Sequence, residues 1–186
     1  MNREDWLTEV ARRLEPMFRR KGYYSKAYRV TCGWPCTRAV STSRRRVGEC
    51  HPPERSDGNV YEVFVSPTVA DSVEVAGIVC HELIHASVGV ECGHEGAFRL
   101  ACKHLEMKGK PTQAVPGGKM LAEVERIVRE LGVYPHYKVE VPRRAAARQE
   151  PPVRLECAKC GCRVTISRKW LADAGHPTCG CGGEME

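Results

Sequence analysis

The stretch HELIHASVGVECGH, residues 81–94, decides how the rest of this chain is read. His81 and His85 are four apart, and on an α-helix residues at that spacing share a face. Two imidazoles on one face can grip one Zn²⁺. Glu82 projects to the side, where its carboxylate can take a proton from a water that the metal has made acidic. The five-residue pattern also recurs by chance in unrelated proteins, so its surroundings must separate a catalytic motif from an accident.

A catalytic zinc usually takes three protein ligands and keeps a fourth position open. Downstream of the pair stand Glu91, His94, Glu95 and His104. The metzincin spacing would need a histidine at position 91 and a glycine at 88, where this chain has Glu91 and Val88. His104 is ten residues beyond His94, about 15 Å along a helix axis, too far to share an ion with it. His94 is the expected third ligand. It follows the break GVECG, which can fold a second helix back over the first, and Gly93 and Gly96 allow close backbone approach there. A capping or surface role is the alternative for His94, with Glu91 or Glu95 next in line as ligand.

Outward from the motif, the periodicities are mixed. The N-terminal stretch places Trp6, Leu7, Val10, Leu14 and Phe18 at helical spacing. AYRVTCGWPC and RRRVGEC read as strands, and NVYEVFVSP is the clearest one, ended by Pro67. A helix follows, with Asp71 or Ser72 as N-cap and Gly89 near its end. His94–Met107 reads as another, with His94, Ala97, Phe98, Ala101 and Leu105 on one face. PTQAVPGGK reads as a loop and KMLAEVERIVRELG as a helix stopped by Gly132. The expected fold class is therefore α+β. Its expected division is a core over residues 1–137, a basic Pro/Ala/Arg linker over 138–152 and a small unit over 153–186. A buried helix that sets two histidines beside a sheet is where a zincin active site would sit.

The stretch VCHELIHASVGVECGHEGAFRLAC resembles the SprT-like zinc metallopeptidases, the group that includes the Spartan DNA–protein crosslink protease. The residues that carry the resemblance are His81, Glu82, His85, His94, Gly96 and Phe98. It extends upstream through the strand pair and VEVAGIVCHELIHA, and downstream to the cysteine-rich tail. The gap from His85 to His94 is shorter than in Spartan, as in bacterial and phage-type members, and Glu95 stands where that pattern has glycine. The resemblance implies a minimal zincin core, helices with a small sheet, that hydrolyses peptide bonds in proteins bound or crosslinked to DNA. In that chemistry the zinc polarises the scissile carbonyl, and Glu82 moves the proton from water to the leaving amine. Tyr134, His136 and Tyr137 are candidate oxyanion stabilisers, weighed against packing or surface roles.

The tail holds a second metal pattern. Cys157-x-x-Cys160 and Cys179-x-Cys181 stand 18 residues apart, close to the spacing of a zinc ribbon, and four thiolates make a closed structural site. A unit of about 30 residues buries too little apolar surface to fold without such a staple. Cys162 is a spare thiol beside them, and Trp170 reads as a core residue of the ribbon rather than a base-stacking platform. The cofactors expected are thus two zinc ions, one catalytic and one structural. Cys32, Cys36, Cys50, Cys80, Cys92 and Cys102 show no ligand grouping and read as small buried apolar residues.

The chain carries 29 Lys/Arg against 23 Asp/Glu, and the excess is uneven. Residues 1–58 hold 13 basic and 7 acidic side chains, and residues 136–170 hold 9 and 3. Such segments suit a polyanion, although a solvated face and a basic linker would look the same. Arg143, Arg144, Arg148, Arg163, Arg168 and Lys169 are the candidate nucleic-acid contacts, with DNA, single-stranded or junction-containing, as the expected partner. No apolar run reaches about 18 residues, so no membrane span is expected. The charged N-terminal stretch does not read as a signal peptide, and 11 cysteines, an odd number, suit a reduced cytoplasmic chain. The rival to the enzyme is a non-proteolytic adaptor that binds DNA or the transcription machinery through the tail and keeps the zincin core as scaffold. A pure scaffold has no use for Glu82.

Overall fold

In the computed structural model, which describes residues 1–24, 26–41, 43–141 and 151–186, the motif lies on the most buried helix of the chain. That helix, α2, spans Ser72–Val88. Asp71 caps it, its carboxylate accepting from the Glu74 backbone N–H at 2.9 Å, which satisfies one of the helix's orphan donors. Gly89 ends it at φ 96°, a conformation that favours glycine. Between these stops Val75, Ala76, Val79, Cys80, Leu83, Ile84 and Ala86 are all fully buried. A helix apolar nearly all round must be covered on every side. Here α1 (Arg3–Arg20), α3 (Gly96–His104), α4 (Gly118–Leu131) and the sheet cover it.

The sheet has three strands, β1 (Tyr28–Cys32), β2 (Gly48–His51) and β3 (Tyr61–Val65), in the order β1-β3-β2. β1 runs parallel to β3, with Val30 opposite Val63, and β2 runs antiparallel to it, with Cys50 opposite Val63. Along β3 the side chains alternate: Tyr61, Val63 and Val65 are buried and Glu62 and Phe64 are not. Val30, Val63 and Val65 join Trp6, Leu14 and Phe18 of α1 and the apolar side chains of α2 in one core.

Two features differ from the periodicity reading. The helix expected over His94–Met107 begins only at Gly96 and ends at His104. Gly93 at φ 54° and Gly96 at φ 43° break the chain into a turn, so His94 sits before the helix, and Ala97 is exposed. The loop PTQAVPGGK contains β5 (Val115–Pro116), which pairs with β4 (Met107–Lys108). Two-residue strands are too short for any alternation to show.

The chain divides into two units, Met1–Val141 and Pro142–Glu186. In the second, β6 (Val153–Glu156) and β7 (Arg163–Ile166) form an antiparallel hairpin, followed by a short helix, α5 (Arg168–Ala174), capped by Ser167. Among the described residues its core is Leu155, Cys157 and Met185, with a few half-buried neighbours. The architecture is thus α+β, helices with small sheets, ending in a cysteine-rich cluster. No helix among the described residues is long and apolar enough to cross a membrane.

Candidate metal centres

His81, His85 and His94 come together at the C-terminal half of α2. The His94 Nε2 lies 3.2 Å from the His81 Nε2 and 3.3 Å from the His85 Nε2. Tetrahedral zinc with Zn–N of about 2.0–2.1 Å requires N···N edges of about 3.3–3.4 Å. The two edges that His94 makes are close to that length, and one donor nitrogen of each histidine lies within 4.8 Å of the others. Their protons agree: His81 Nδ1 faces the Ala114 carbonyl at 3.2 Å, so that nitrogen carries the hydrogen and Nε2 presents a lone pair. Phe98 closes the base of the cluster. Its ring stacks on His85 at 4.2 Å and touches His81 and His94 at 5.0 and 4.9 Å.

Burial keeps these imidazoles in the neutral form that binds metal. It pulls His81 down to about 4, against the opposing pull of the Ala114 carbonyl, and His85 down to about 3, helped by the other two histidines and Arg46. His94 is lowered in the same way. Glu82 is only 6% exposed, and burial lifts its carboxyl to about 8. A positive charge acts against that burial, and the one that reaches Glu82 from the chain is Arg46.

The other expected participants lie elsewhere. Glu91 and Glu95 are exposed, and Glu95 pairs with Arg99. His104 bonds the Tyr23 hydroxyl at 2.9 Å. Tyr134 packs on Trp6, His136 contacts the Pro67 carbonyl and Arg3, and Tyr137 is exposed. Two residues near the site carried no recognisable signal in the sequence. Gly48 faces α2 so closely that a Cβ there would collide with the Glu82 carboxylate and with Ile78. Arg46, from the segment before β2, spreads its charge over Glu82, His85 and His94.

In the second unit Cys157, Cys160, Cys179 and Cys181 form a four-thiol cluster. The Cys157–Cys181 and Cys160–Cys179 sulfurs are 3.5 and 3.6 Å apart. That is far beyond a disulfide bond of about 2.05 Å and near the S···S edge of about 3.8 Å implied by Zn–S of about 2.3 Å. The Cys160 backbone N–H lowers the Cys157 thiol, whereas the thiols crowded together raise Cys160 and Cys181, so the four give up their protons as a group. Gly183 leaves room for the cluster: a Cβ there would lie 2.6 Å from the Cys157 sulfur. Cys162 is exposed and outside the cluster, its carbonyl accepting from the Cys157 N–H. Both donor sets suit zinc, so the chain carries two clusters fitted to bind it.

The structure differs from the sequence reading at Trp170 and Cys36, and Arg163 has an ion-pair partner. Trp170 is not in the small core but 62% exposed, on a seven-residue helix that buries none of its side chains. Arg163 is exposed but paired with Glu156 at 2.8 Å. Cys36 is exposed, not buried, whereas Cys80 and Cys102 are buried. Arg168 and Lys169 are exposed in the first turn of α5, and Arg143, Arg144 and Arg148 lie outside the described residues. Comparison of the chain with protein-family models, with curated proteins and with solved structures gave no match. The functional reading therefore rests on the geometry of the sites.

Proposed function

We propose that this protein is a zinc-dependent endopeptidase of the SprT-like kind, acting on proteins bound or crosslinked to DNA, with a zincin core and a Cys₄ zinc ribbon. The observation that carries the catalytic part is the clustering of His81, His85 and His94, whose two Nε2 edges at His94 are close to those of a zinc tetrahedron, with Glu82 one residue from the first of them. His81, His85 and His94 would hold the ion and leave one side of it to water and substrate. Bound there, zinc supplies a Lewis acid for the scissile carbonyl and makes water acidic enough to lose a proton near neutral pH. Glu82 takes that proton and returns it to the departing amine. The wall formed by Gly48 and Ile78 holds its carboxylate against the strand, and Phe98 holds the imidazoles in register.

The DNA part is supported by the charge excess of residues 1–58 and 136–170 and by exposed Arg168, Lys169 and Trp170 on one short helix. Cations for phosphates beside an aromatic ring for a base is a combination that suits single strands. The test is cleavage of a DNA-binding protein by the purified chain, with and without single-stranded DNA. Glu82→Gln should keep its zinc and fold and lose cleavage by about 10²–10⁴-fold. Equal cleavage by parent and Glu82→Gln would remove the enzyme reading and leave the DNA-binding adaptor. Cleavage indifferent to DNA would keep the enzyme and move its substrate elsewhere.

A further inference from the structure

We infer that Cys36, Glu49 and His51 form a third metal site, on the outer face of the sheet, for a divalent transition ion of the zinc class. Glu49 and His51 are two apart on β2 and so project to the same side. It is the side away from α2, because Gly48 and Cys50, the alternate positions, face Glu82. On that outer side the His51 ring meets Phe64 edge-on at 5.5 Å. Cys36 arrives from the segment between β1 and β2, and its backbone N–H donates to Glu49 Oε2 at 2.6 Å, which docks the thiol beside the strand.

The donor atoms then converge. His51 Nε2 lies 3.6 Å from the Cys36 sulfur and 3.3 Å from Glu49 Oε2, and one donor atom from each residue falls within 4.8 Å of the others. With Zn–S of about 2.3 Å, Zn–N of about 2.05 Å and Zn–O of about 2.1 Å, a tetrahedron has S···N and N···O edges of about 3.6 and 3.4 Å. Both measured edges fit. A thiol, a histidine and a carboxylate also suggest a nucleophilic triad, but a triad places the thiol on one ring nitrogen and the acid on the other. Here thiol and acid share Nε2, the arrangement of ligands around a common point. Glu49 also pairs with Arg46, but through its other oxygen, Oε1, so Oε2 still faces the histidine. Sulfur, nitrogen and oxygen donors together suit zinc better than magnesium or calcium.

An ion in this place ties Cys36, in the stretch before β2, to the sheet. That stretch carries Arg46, whose charge reaches Glu82, His85 and His94. The site does not depend on the chain being a peptidase. The test uses the full-length protein, with zinc per chain measured by elemental analysis in the parent, Cys36→Ser, His51→Ala, His94→Ala and Cys179→Ser. The parent should hold about three zinc ions, and each variant about one fewer. In parallel, iodoacetamide labelling of Cys36 is followed by peptide mass spectrometry. Zinc should slow it about tenfold or more in the parent, because a ligated thiolate is not free to attack, and should not slow it in His51→Ala. Zinc content unchanged in both Cys36→Ser and His51→Ala, or Cys36 labelling in the folded parent indifferent to zinc, would overturn the third site without touching the other two.

Discussion

Gly48 shows how much of the candidate active site depends on a side chain that is missing. A Cβ at this position would have to occupy the space of the Glu82 carboxylate and of Ile78. Glu82 ends in a flexible side chain, so it would yield by rotating, and the helix would stay. Gly48→Ala should therefore keep metal content and thermal stability near the parent's and lower peptide cleavage about 10²-fold, the usual cost of misplacing a reacting group by about 1 Å. Kinetic assays beside zinc analysis read both quantities. A variant that loses zinc as well would mean that the strand, not the carboxylate, had moved. Gly183 is the counterpart in the second unit: Gly183→Ala should disturb the Cys157 sulfur and release the Cys₄ zinc, leaving the histidine site loaded.

Secondary-structure elements place the chemistry. α2 supplies His81, Glu82 and His85, the Gly93–Gly96 turn brings in His94, and the residue just before β5, Ala114, offers the carbonyl that orients His81. α1 contributes no ligand but covers the far side of the core, and its surface charge gives it a pH signature. Arg12 first, then Arg13, hold Glu9 down to about 2. A carboxylate lowered in the fold stabilises it above its unfolded value near 4.5, and that contribution is lost as pH falls through about 2. Glu9→Gln should thus cost about 0.2–1 kcal/mol at pH 7, the range for partly exposed pairs. Parent and variant should converge below about pH 2. Urea melts across this range check the sign. A difference that persists in acid would mean Glu9 acts by packing.

The chain divides into two units with separate cores, and its candidate metal clusters are shared between them. A chain ending at residue 141 keeps α1, α2, the sheet and all three histidines. It should unfold cooperatively and retain its zinc at the His triad, which His94→Ala in the same shortened chain should remove. Among its described residues the second unit has three buried apolar side chains, too few to offset the entropy of ordering it. Chelation should therefore unfold that unit outright, seen as loss of its amide protection in hydrogen exchange, while the first unit stays folded on its own core. Protection of the tail that survives full removal of zinc would show that its core needs no metal.

Local pattern was enough for part of this protein. The four-residue spacing of His81 and His85, the Asp71 cap, the Gly89 stop and the alternation of Tyr61, Val63 and Val65 are all set by the helical or strand period. These elements are legible before any tertiary contact exists. The short separations within Cys157–Cys160 and Cys179–Cys181 make two knuckles whatever the chain does between them. What tertiary structure decided is everything that meets across distance. Ala114 meets His81 across 33 residues of sequence. Gly48 matters only because β2 lies against α2. Cys36 and His51 are fifteen residues apart in a region with no metal-ligand spacing, and only the docking of Cys36 against β2 makes them neighbours. A period or a spacing is written in consecutive residues. The meeting of two surfaces depends on how whole elements pack, and no short stretch of sequence contains that.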